Sequence, residues 1–356
     1  MKITPRKKTS GMAVIVALVA VTVLTILAAA FAYSMKVETH LAANSNNDEE
    51  MLWVGRAGVQ MAAYVIALDS NQPYDALNQI WAGGPGAGSE TNSALMGLDL
   101  NNYPVGYPDT VGTVSIKIKD LERYVNINIA SPQLIQQVLT AQGVDPDRIS
   151  VVSDSVLDWI DTDDATRPAG AESDYYQGLT PPYYAKNAPI DDINELLYIK
   201  GVTPKMYWNT NNDPGARHNK LGLGHTLSEE ADYQFALKDV LTPFGIGKIN
   251  INTADETSLM LIPGMTTDAA ESIIKYRAGP DGQEGTDDDT PFQNPGMLNA
   301  AGIDPRAAQQ ISQYVTTKSS TFEVEVTAHI GEVTREFHAV IWRNGPQPQV
   351  VEFYWK

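Results

Sequence analysis

The longest apolar stretch of the chain lies near its start. Between Met12 and Met35 there are 24 residues, and none of them is charged. A helix rises about 1.5 Å per residue, so this stretch is long enough to cross the roughly 30 Å hydrocarbon core of a bilayer. Apolar positions then recur at steps of three and four residues to Leu68, without a proline. The pattern predicts one helix from Met12 to about Leu68, whose second half has one apolar face for packing.

Strict alternation of apolar and polar residues predicts strands near both ends of the remaining chain. It occurs within residues 113–129 and again within 321–343, where Gly331 offers a turn. The long region between them has little strand pattern. We therefore predict an α+β fold in which the long helix packs on an antiparallel sheet, with residues 36–129 and 316–356 together forming this α/β domain. Residues 130–315 would form a large, mostly helical insertion, and residues 71–109, rich in Gly, Pro, Asn and Ser, a long loop.

Two kinds of short motif each occur twice inside the insertion, as a weak internal repeat. Ser131-Pro132 has the form of a helix N-cap followed by proline, and Thr253-Ala254-Asp255-Glu256 that of a capping box. Two apolar segments turn at Gly201 and at Gly264 in a way that resembles helix-hairpin-helix motifs, whose backbone N–H groups contact phosphate. The second glycine of that motif is replaced here, and the surroundings are acidic. We interpret both hairpins as structural.

The residues before the apolar stretch set its orientation. Four basic residues precede Gly11, so the leader should stay on the cytoplasmic side and the remainder should cross outward. The leader and the apolar stretch have two simple interpretations. They could form an ordinary signal peptide, cut after Ala30-Phe31-Ala32, or an uncut membrane anchor. Against the first, the stretch is longer than the 7–15 apolar residues typical of signal peptides.

Composition narrows the classes of function. The 356 residues carry a net charge of −18, which disfavours nucleic acid as a partner. There is no cysteine, so no disulfide can stabilise an exported domain. The five histidines are scattered, and no nucleophile elbow, zinc-protease or P-loop motif is present. We do not expect an enzyme.

Two acidic clusters are the best candidates for binding chemistry. Each combines closely spaced carboxylates with glycines, which suits a hard cation such as calcium, although neither has the spacing of an EF-hand. The alternative is a solvated acidic loop or a set of helix caps. The candidate ligands are Asp161, Asp163, Asp164, Glu172 and Asp174 in the first cluster, and Asp281, Asp287, Asp288 and Asp289 in the second.

Two features of the sequence resemble known families. A short basic leader that ends in Gly11 and directly precedes an uncharged helix resembles the leader of type IV pilins and secretion pseudopilins. The series from Asp158-Trp159-Ile160-Asp161 to Gly201-Val202-Thr203-Pro204, followed by Ile249-Asn250-Ile251-Asn252, resembles the K-type minor pseudopilins of type II secretion systems (the general secretion pathway protein K family). The first resemblance implies that a membrane peptidase cuts after Gly11, which makes Met12 the mature N-terminus.

The second resemblance implies a function and a location. It implies a minor pseudopilin that initiates or caps the tip of a short filament in protein export, anchored in the inner membrane by one span with the rest in the periplasm. Val16 stands at the fifth mature position, where major pilins carry Glu, and K-type members lack that Glu as well. The implied partners are other minor pseudopilins, the major pseudopilin and the prepilin peptidase, and the implied cofactor is calcium in the helical domain. No nucleic acid is expected; the alternative is a tip minor pilin of a related type IV or DNA-uptake pilus that contacts DNA through its hairpins.

Overall fold

A computed structural model describes residues 10–85, 100–106, 111–209, 233–345 and 347–355, apart from the side chains of residues 10, 11 and 40–47. The predicted leader, residues 1–11, lies largely outside the described residues. Helix α1 (Ser10–Leu68) is a single helix of 59 residues, which confirms the predicted long helix. Two of its segments are long and apolar enough to cross a membrane. Met12–Thr39 is entirely exposed, whereas Asp48–Leu68 packs on the protein, and 56% of the residues in its most apolar 18-residue window are buried.

The remaining helices are α2 (Pro132–Gln142), α3 (Pro146–Ile160), α4 (Ser173–Gln177), α5 (Pro204–Trp208), α6 (Glu256–Met260), α7 (Thr267–Arg277) and α8 (Pro305–Ser312). The strands are β1 (Tyr103–Val105), β2 (Gly112–Asp120), β3 (Val125–Asn126), β4 (Leu241–Thr242), β5 (Ile249–Asn250), β6 (Val315–Thr316), β7 (Thr321–Ile330), β8 (Val333–Trp342) and β9 (Gln349–Trp355). Short 3-10 helices lie at Ile80–Ala82, Ile193–Tyr198, Leu237–Asp239 and Pro295–Ala301.

The second half of α1 packs on one face of a five-stranded antiparallel sheet with the order β1-β2-β7-β8-β9. The alternating apolar residues of β2 and β7 form one core with α1, and Phe337, Ala339 and Ile341 of β8 belong to the same core. Two glycines of α1 permit the close approach. A Cβ added at Gly55 would lie 2.5 Å from the ring of Phe337, and one added at Gly58 would lie 2.5 Å from Val326. This arrangement confirms the predicted α+β class.

The insertion has a second, separate core. It draws apolar residues from Val125 through Val315, and α2, α3, α7 and α8 each contribute buried side chains to it. The predicted cap of α2 is confirmed, since Ser131 accepts a hydrogen bond from the Leu134 N–H and Pro132 is the first helical residue. Two short pairs of parallel strands, β3 with β4 and β5 with β6, close the domain.

Three details of the predicted architecture are wrong. The second strand expected within residues 113–129 does not join the main sheet: only Val125–Asn126 is extended, and it pairs with β4 inside the insertion. The cause is side-chain hydrogen bonding, because the Asn126 amide accepts from the Asn128 N–H and donates to the Gly245 carbonyl, which turns the chain.

The other two wrong predictions concern the cap of α6 and the long loop at residues 71–109. Helix α6 is capped by Asp255, which accepts from the Ser258 N–H, while Thr253 donates to a buried carboxylate instead. Part of the region expected as a long loop forms β1, which pairs with β2. Strand β9, at the opposite edge of the sheet, was not predicted.

A buried polar cluster joins the two cores. Asp120, at the end of β2, accepts hydrogen bonds on one oxygen from Asn250 (3.0 Å), Thr253 (2.5 Å) and Ser319 (2.6 Å). All four residues are at most 2% exposed. Because Asn250 and Thr253 belong to the insertion whereas Asp120 and Ser319 flank strands of the main sheet, this cluster fixes the insertion to the sheet. We call it the junction cluster.

Two further carboxylates belong to the junction cluster. Asp75, which follows α1, accepts from the Ser319 N–H at 2.7 Å and pairs with Arg343 at the end of β8. Glu122 accepts from the Ser320 hydroxyl at 2.7 Å and from the Thr321 N–H at 3.0 Å. Burial, together with the charge of Asp120, raises the pKa of Glu122 to about 8.

This pKa gives a testable pH dependence. Folded Glu122 holds its proton up to about pH 8, whereas the unfolded chain releases it near its ordinary pKa of 4.5. The folded state therefore binds more protons in between, and stability falls as the pH rises through that window, by at most about 1.4 kcal/mol per pH unit. We expect Glu122→Gln to flatten the fall, as measured by the unfolding of the full chain in detergent from about pH 5 to about pH 8.5. The exposed Glu271→Gln is the matched control; equal slopes in the two variants would contradict the assignment.

Candidate functional site

The first acidic loop, residues 158–174, connects α3 to α4. Helix α3 begins at Pro146 after the N-cap Asp145 and ends where Asp161 leaves the helical conformation. The loop returns along α3 through Arg167 and reaches Glu172, the residue before α4. The last turn of α3 and the start of α4 therefore bring carboxylates together that are separated in the sequence.

One part of the loop is held by an ion pair. The Arg167 guanidinium donates to Asp158 at 2.7 Å and also to Asp161, and the Arg167 N–H points to Asp158 as well. Asp158 is fully buried, and a Cβ added at Gly170 would lie 1.9 Å from its carboxylate. Because its oxygens are engaged by Arg167, Asp158 has a structural role.

The rest of the loop leaves buried oxygen atoms without partners. Among the described residues, no hydrogen bond reaches either carboxylate oxygen of Glu172, Oδ1 of Asp161 or Oδ1 of Asn187. Glu172 is only 3% exposed. Asn187 lies beside the first acidic loop, because its Nδ2 donates to Asp164 at 2.9 Å. A buried carboxylate without a partner is costly, so these oxygens are suited to a cation.

The electrostatics of Glu172 also favour a cation at this loop. Burial first, and then the negative charges of Asp158, Asp161, Asp164 and Asp163, raise the pKa of Glu172 to about 7. Calcium takes six to eight oxygen ligands, including amide and carbonyl oxygens and water. Within the described residues, no three acidic or histidine side chains form a metal site by themselves. A cation here would therefore rely on Glu172, Asp161 and the Asn187 amide with further oxygens.

The structure separates the sequence candidates of the first cluster. Asp163 and Asp164 are exposed, and one oxygen of each is already engaged, by the Ala165 N–H and by Asn187. Asp174 is exposed in the first turn of α4. Sequence reasoning missed Asn187, because its approach depends on the return of the chain after α4. Its left-handed backbone conformation, with φ of 47°, favours Asn but leaves no distinctive pattern in the sequence.

The second acidic loop, residues 281–289, is bonded mainly within itself. Asp288 accepts from the Asp281 N–H at 3.0 Å and from Thr286 at 2.7 Å, and Asp289 accepts from the Gly285 N–H at 2.8 Å. Asp287 is exposed. The neighbouring Glu284 pairs with the buried Arg277. Within the described parts of the chain, none of the four candidate aspartates here leaves a buried oxygen unpartnered, and calcium at this loop stays a prediction.

The two hairpins of the insertion share one geometry. Gly201 and Gly264 both adopt positive φ, at 88° and 84°. In each case the threonine two residues later caps the next helix: Thr203 accepts from the Met206 N–H, and Thr266 from the Ala269 N–H, both at 3.2 Å. The threonine side chain thus occupies an N–H group at the start of the helix, which supports a structural role for both turns.

A long helix that leaves an apolar half free and packs its other half on an antiparallel sheet defines a pilin-like protein, here enlarged by a helical domain. The sequence pattern of the family described as "Type II secretion system (T2SS), protein K" matches residues 116–210. The pattern of a helix-hairpin-helix motif matches residues 245–282. Together with the fold, the match over residues 116–210 supports assignment of the chain to the type II secretion system protein K family.

The chain is also similar to individual protein K sequences from several bacteria. A putative type II secretion system protein K of Escherichia coli K12 is 33% identical over 108 residues, which cover 27% of this chain and 33% of the relative. The Aeromonas hydrophila protein K is 26% identical over 56% of this chain and 61% of its own length. The Pseudomonas aeruginosa protein K is 24% identical over 80% and 77%. The matches thus span a third and 61% of the first two of these relatives.

A solved structure has the same fold. The chain is similar to one in the GspK-GspI-GspJ complex of enterotoxigenic Escherichia coli, with a TM-score of 0.61 at 18% identity. The similarity covers 88% of this chain and 99% of that chain. With 88% of this chain covered, the similarity must include most of the insertion of residues 130–315.

Proposed function

We propose that this chain is a minor pseudopilin that begins or caps the tip of a type II secretion pseudopilus and so supports protein export. The observation that carries the proposal is the position of the insertion. The free apolar half of α1 leaves one end of the sheet, whereas the junction cluster holds the insertion near the other. The cluster includes Arg343, which donates to the Ile66 carbonyl in the last turns of α1.

This placement has a steric consequence for assembly. Pilin-like subunits stack through parallel α1 helices, so the next subunit would come to lie above the sheet, where the insertion already is. Val16 adds a second argument, since it cannot neutralise the N-terminal ammonium of a neighbour as a carboxylate can. Both features favour a free end over a repeated position. Other minor pseudopilins, of the kind present in the similar complex, and the major pseudopilin would then contact α1 from below.

The location follows from the same helix. The unburied Met12–Thr39 segment is long and apolar enough to cross a membrane, which is typical of a membrane anchor. The basic residues that precede it favour a cytoplasmic leader, and we infer that the sheet and insertion lie in the periplasm. The role proposed is structural, and no covalent chemistry is part of it.

The tip assignment can be tested by microscopy. Gold-labelled antibodies against the insertion should mark a single end of pseudopili from a secretion-competent host, because only a terminal subunit can accommodate that domain. Antibodies against the major pseudopilin, which should label the full length, are the control. Label for this chain along the length of the filaments would contradict the proposal.

Processing provides a second test. We expect Gly11→Val to leave the precursor uncut and to stop secretion, whereas Ala17→Val, a similar change within the apolar segment, should be processed normally. Intact mass and N-terminal sequencing of the membrane-bound chain would show a mature start at Met12 only where Gly11 is retained. A start at Tyr33 would indicate an ordinary signal peptide and would remove the main support for assembly into a filament.

We further propose that the first acidic loop binds calcium, which would supply the missing partner for Glu172. A cation that binds only the folded state stabilises it by mass action. Calcium would fix the loop between α3 and α4 in a domain without disulfides. Magnesium should act more weakly, because it requires tighter octahedral geometry and releases its water reluctantly.

The calcium proposal is tested by comparing two acidic residues of the same loop. Millimolar calcium should raise the melting temperature of the full chain in detergent, and chelation should lower it. Glu172→Gln should lose much of that shift, because it removes the buried unpartnered carboxylate. Asp174→Asn, an exposed neighbour, should keep it. Equal shifts in both variants, or none in the wild type, would assign the loop to a solvated or purely structural role.

A second candidate function is that of a tip pilin in a related pilus that contacts DNA. The helix-hairpin-helix match over residues 245–282 is the observation that favours it. Against it, the net charge of −18 repels phosphate, and Thr266 caps α7 where the motif has its second glycine. We therefore prefer the secretion role, with the hairpins as turns between helices.

A further inference from the structure

The two edge strands of the main sheet, β1 and β9, differ in how well they could pair with a further strand. Strand β1 has three residues, and Pro104 at its centre cannot donate a backbone hydrogen bond. Strand β9 has seven residues and no proline. Within the described residues, β9 pairs only with β8, so its outer N–H and C=O groups are free. An edge of this kind is a template for a strand from another chain.

A cleft of about 320 Å³ reaches this edge. Its floor is a row of side chains that stand directly opposite one another on four neighbouring strands: Lys119, Glu323, Val340 and Glu352. The insertion forms the other wall. The row ends at Glu352 on β9. The residue of an added strand opposite Glu352 would therefore point its side chain into the same cleft.

The charge at this end of the cleft is unbalanced. Among the described residues, Glu352 has no hydrogen bond or ion pair, and burial followed by the charges of Asp191 and Asp192 raises its pKa. The nearby cations are engaged elsewhere: Lys186 pairs with Asp191 at 2.7 Å, and Lys238 pairs with Asp239. Lys119, at the far end of the row, lies opposite Glu323 and 4.7 Å from the centre of the Tyr124 ring. A further positive charge beside Glu352 would relieve the repulsion between these carboxylates.

The opposite face of β9 is apolar. Val350 is 37% exposed and Trp355 is 55% exposed, on the side of the sheet that packs against α1. An added strand with apolar residues on this side would cover both. The two faces together specify a complementary segment, with a cationic residue facing the cleft and β-branched apolar residues on either side of it.

We propose that β9 binds an extended segment of a partner protein that places a Lys or Arg opposite Glu352. The backbone of that segment pairs with β9, its cation contacts Glu352 in the cleft, and its flanking apolar side chains cover Val350 and Trp355. The charge complementarity of the cleft favours a basic partner over a second copy of this acidic chain. The proposal does not rest on the secretion role, because it concerns binding at a surface of the folded chain.

The test uses the full chain in detergent and a synthetic peptide of about seven residues, Val-Thr-Val-Lys-Val-Thr-Val, with blocked ends. We expect saturable binding by fluorescence anisotropy, and about tenfold weaker binding when the central Lys is replaced by Glu. Glu352→Gln should weaken binding of the Lys peptide and remove most of the discrimination between the two peptides. The exposed Glu271→Gln, a matched change of charge on α7, should preserve both.

Peptide variants separate strand pairing from simple charge attraction. N-methylation of alternate peptide amides blocks backbone pairing from one edge without altering the protein, and methylation on the β9 side should abolish binding. Binding that survives it, or that is equal for the wild type and Glu352→Gln, would overturn the proposal in favour of nonspecific attraction to an acidic protein. No binding would overturn it as well, and so would self-association that Glu352→Gln strengthens, since the edge would then belong to a second copy.

Discussion

The arrangement of the two domains depends on one buried carboxylate. Asp120 receives three hydrogen bonds on a single oxygen, two of them from the insertion and one from the segment that begins β7. Removing one partner of such a buried group typically costs about 1–3 kcal/mol, and more when the group is charged. With Arg343 as the cation of the junction cluster, the third carboxylate, Glu122, is accommodated by retaining its proton. The position of the insertion relative to α1 follows from this cluster, and the steric argument for a filament end follows from that position.

Local periodicity was sufficient to predict the parts of the fold that are built from neighbouring residues. Alternation identified β2, β7 and β8, and the three- and four-residue steps identified the packed half of α1. The parts that were missed depend on distant partners. Asn126 bonds the Gly245 carbonyl, 119 residues away, and this contact turns a segment that alternates like a strand. Strand β9 has exposed residues on both faces near its start, so its pairing with β8 supplies the order that its pattern does not.

The candidate cation site was predicted only in outline, for a related reason. Composition identified an acidic loop, but it could not distinguish a carboxylate bound by Arg167 from one that lacks a partner. Asp158 and Glu172 are both buried acids in the same loop, and only the fold assigns the arginine to the first. Asp174 lies two residues from Glu172, yet the first turn of α4 points it to solvent. Proximity in sequence is therefore a poor guide to which oxygens remain available.

The excess of acidic residues, 43 against 25 basic ones, connects the junction cluster, the first acidic loop and the β9 cleft. Glu122, Glu172 and Glu352 each have a raised pKa, caused first by burial and then by neighbouring carboxylates. Their surroundings differ in what can relieve the charge. Glu122 is enclosed, and burial and the charge of Asp120 outweigh the Ser320 hydroxyl and the Thr321 N–H, which donate to it, so it keeps a proton. Glu172 has two oxygens that no described residue contacts by a hydrogen bond, near other carboxylates and an amide, a set that suits a metal ion. Glu352 faces a cleft at a free strand edge, where a side chain from another protein can enter. The same electrostatic problem thus leads to three chemically distinct solutions, and the shape of each environment decides which one applies.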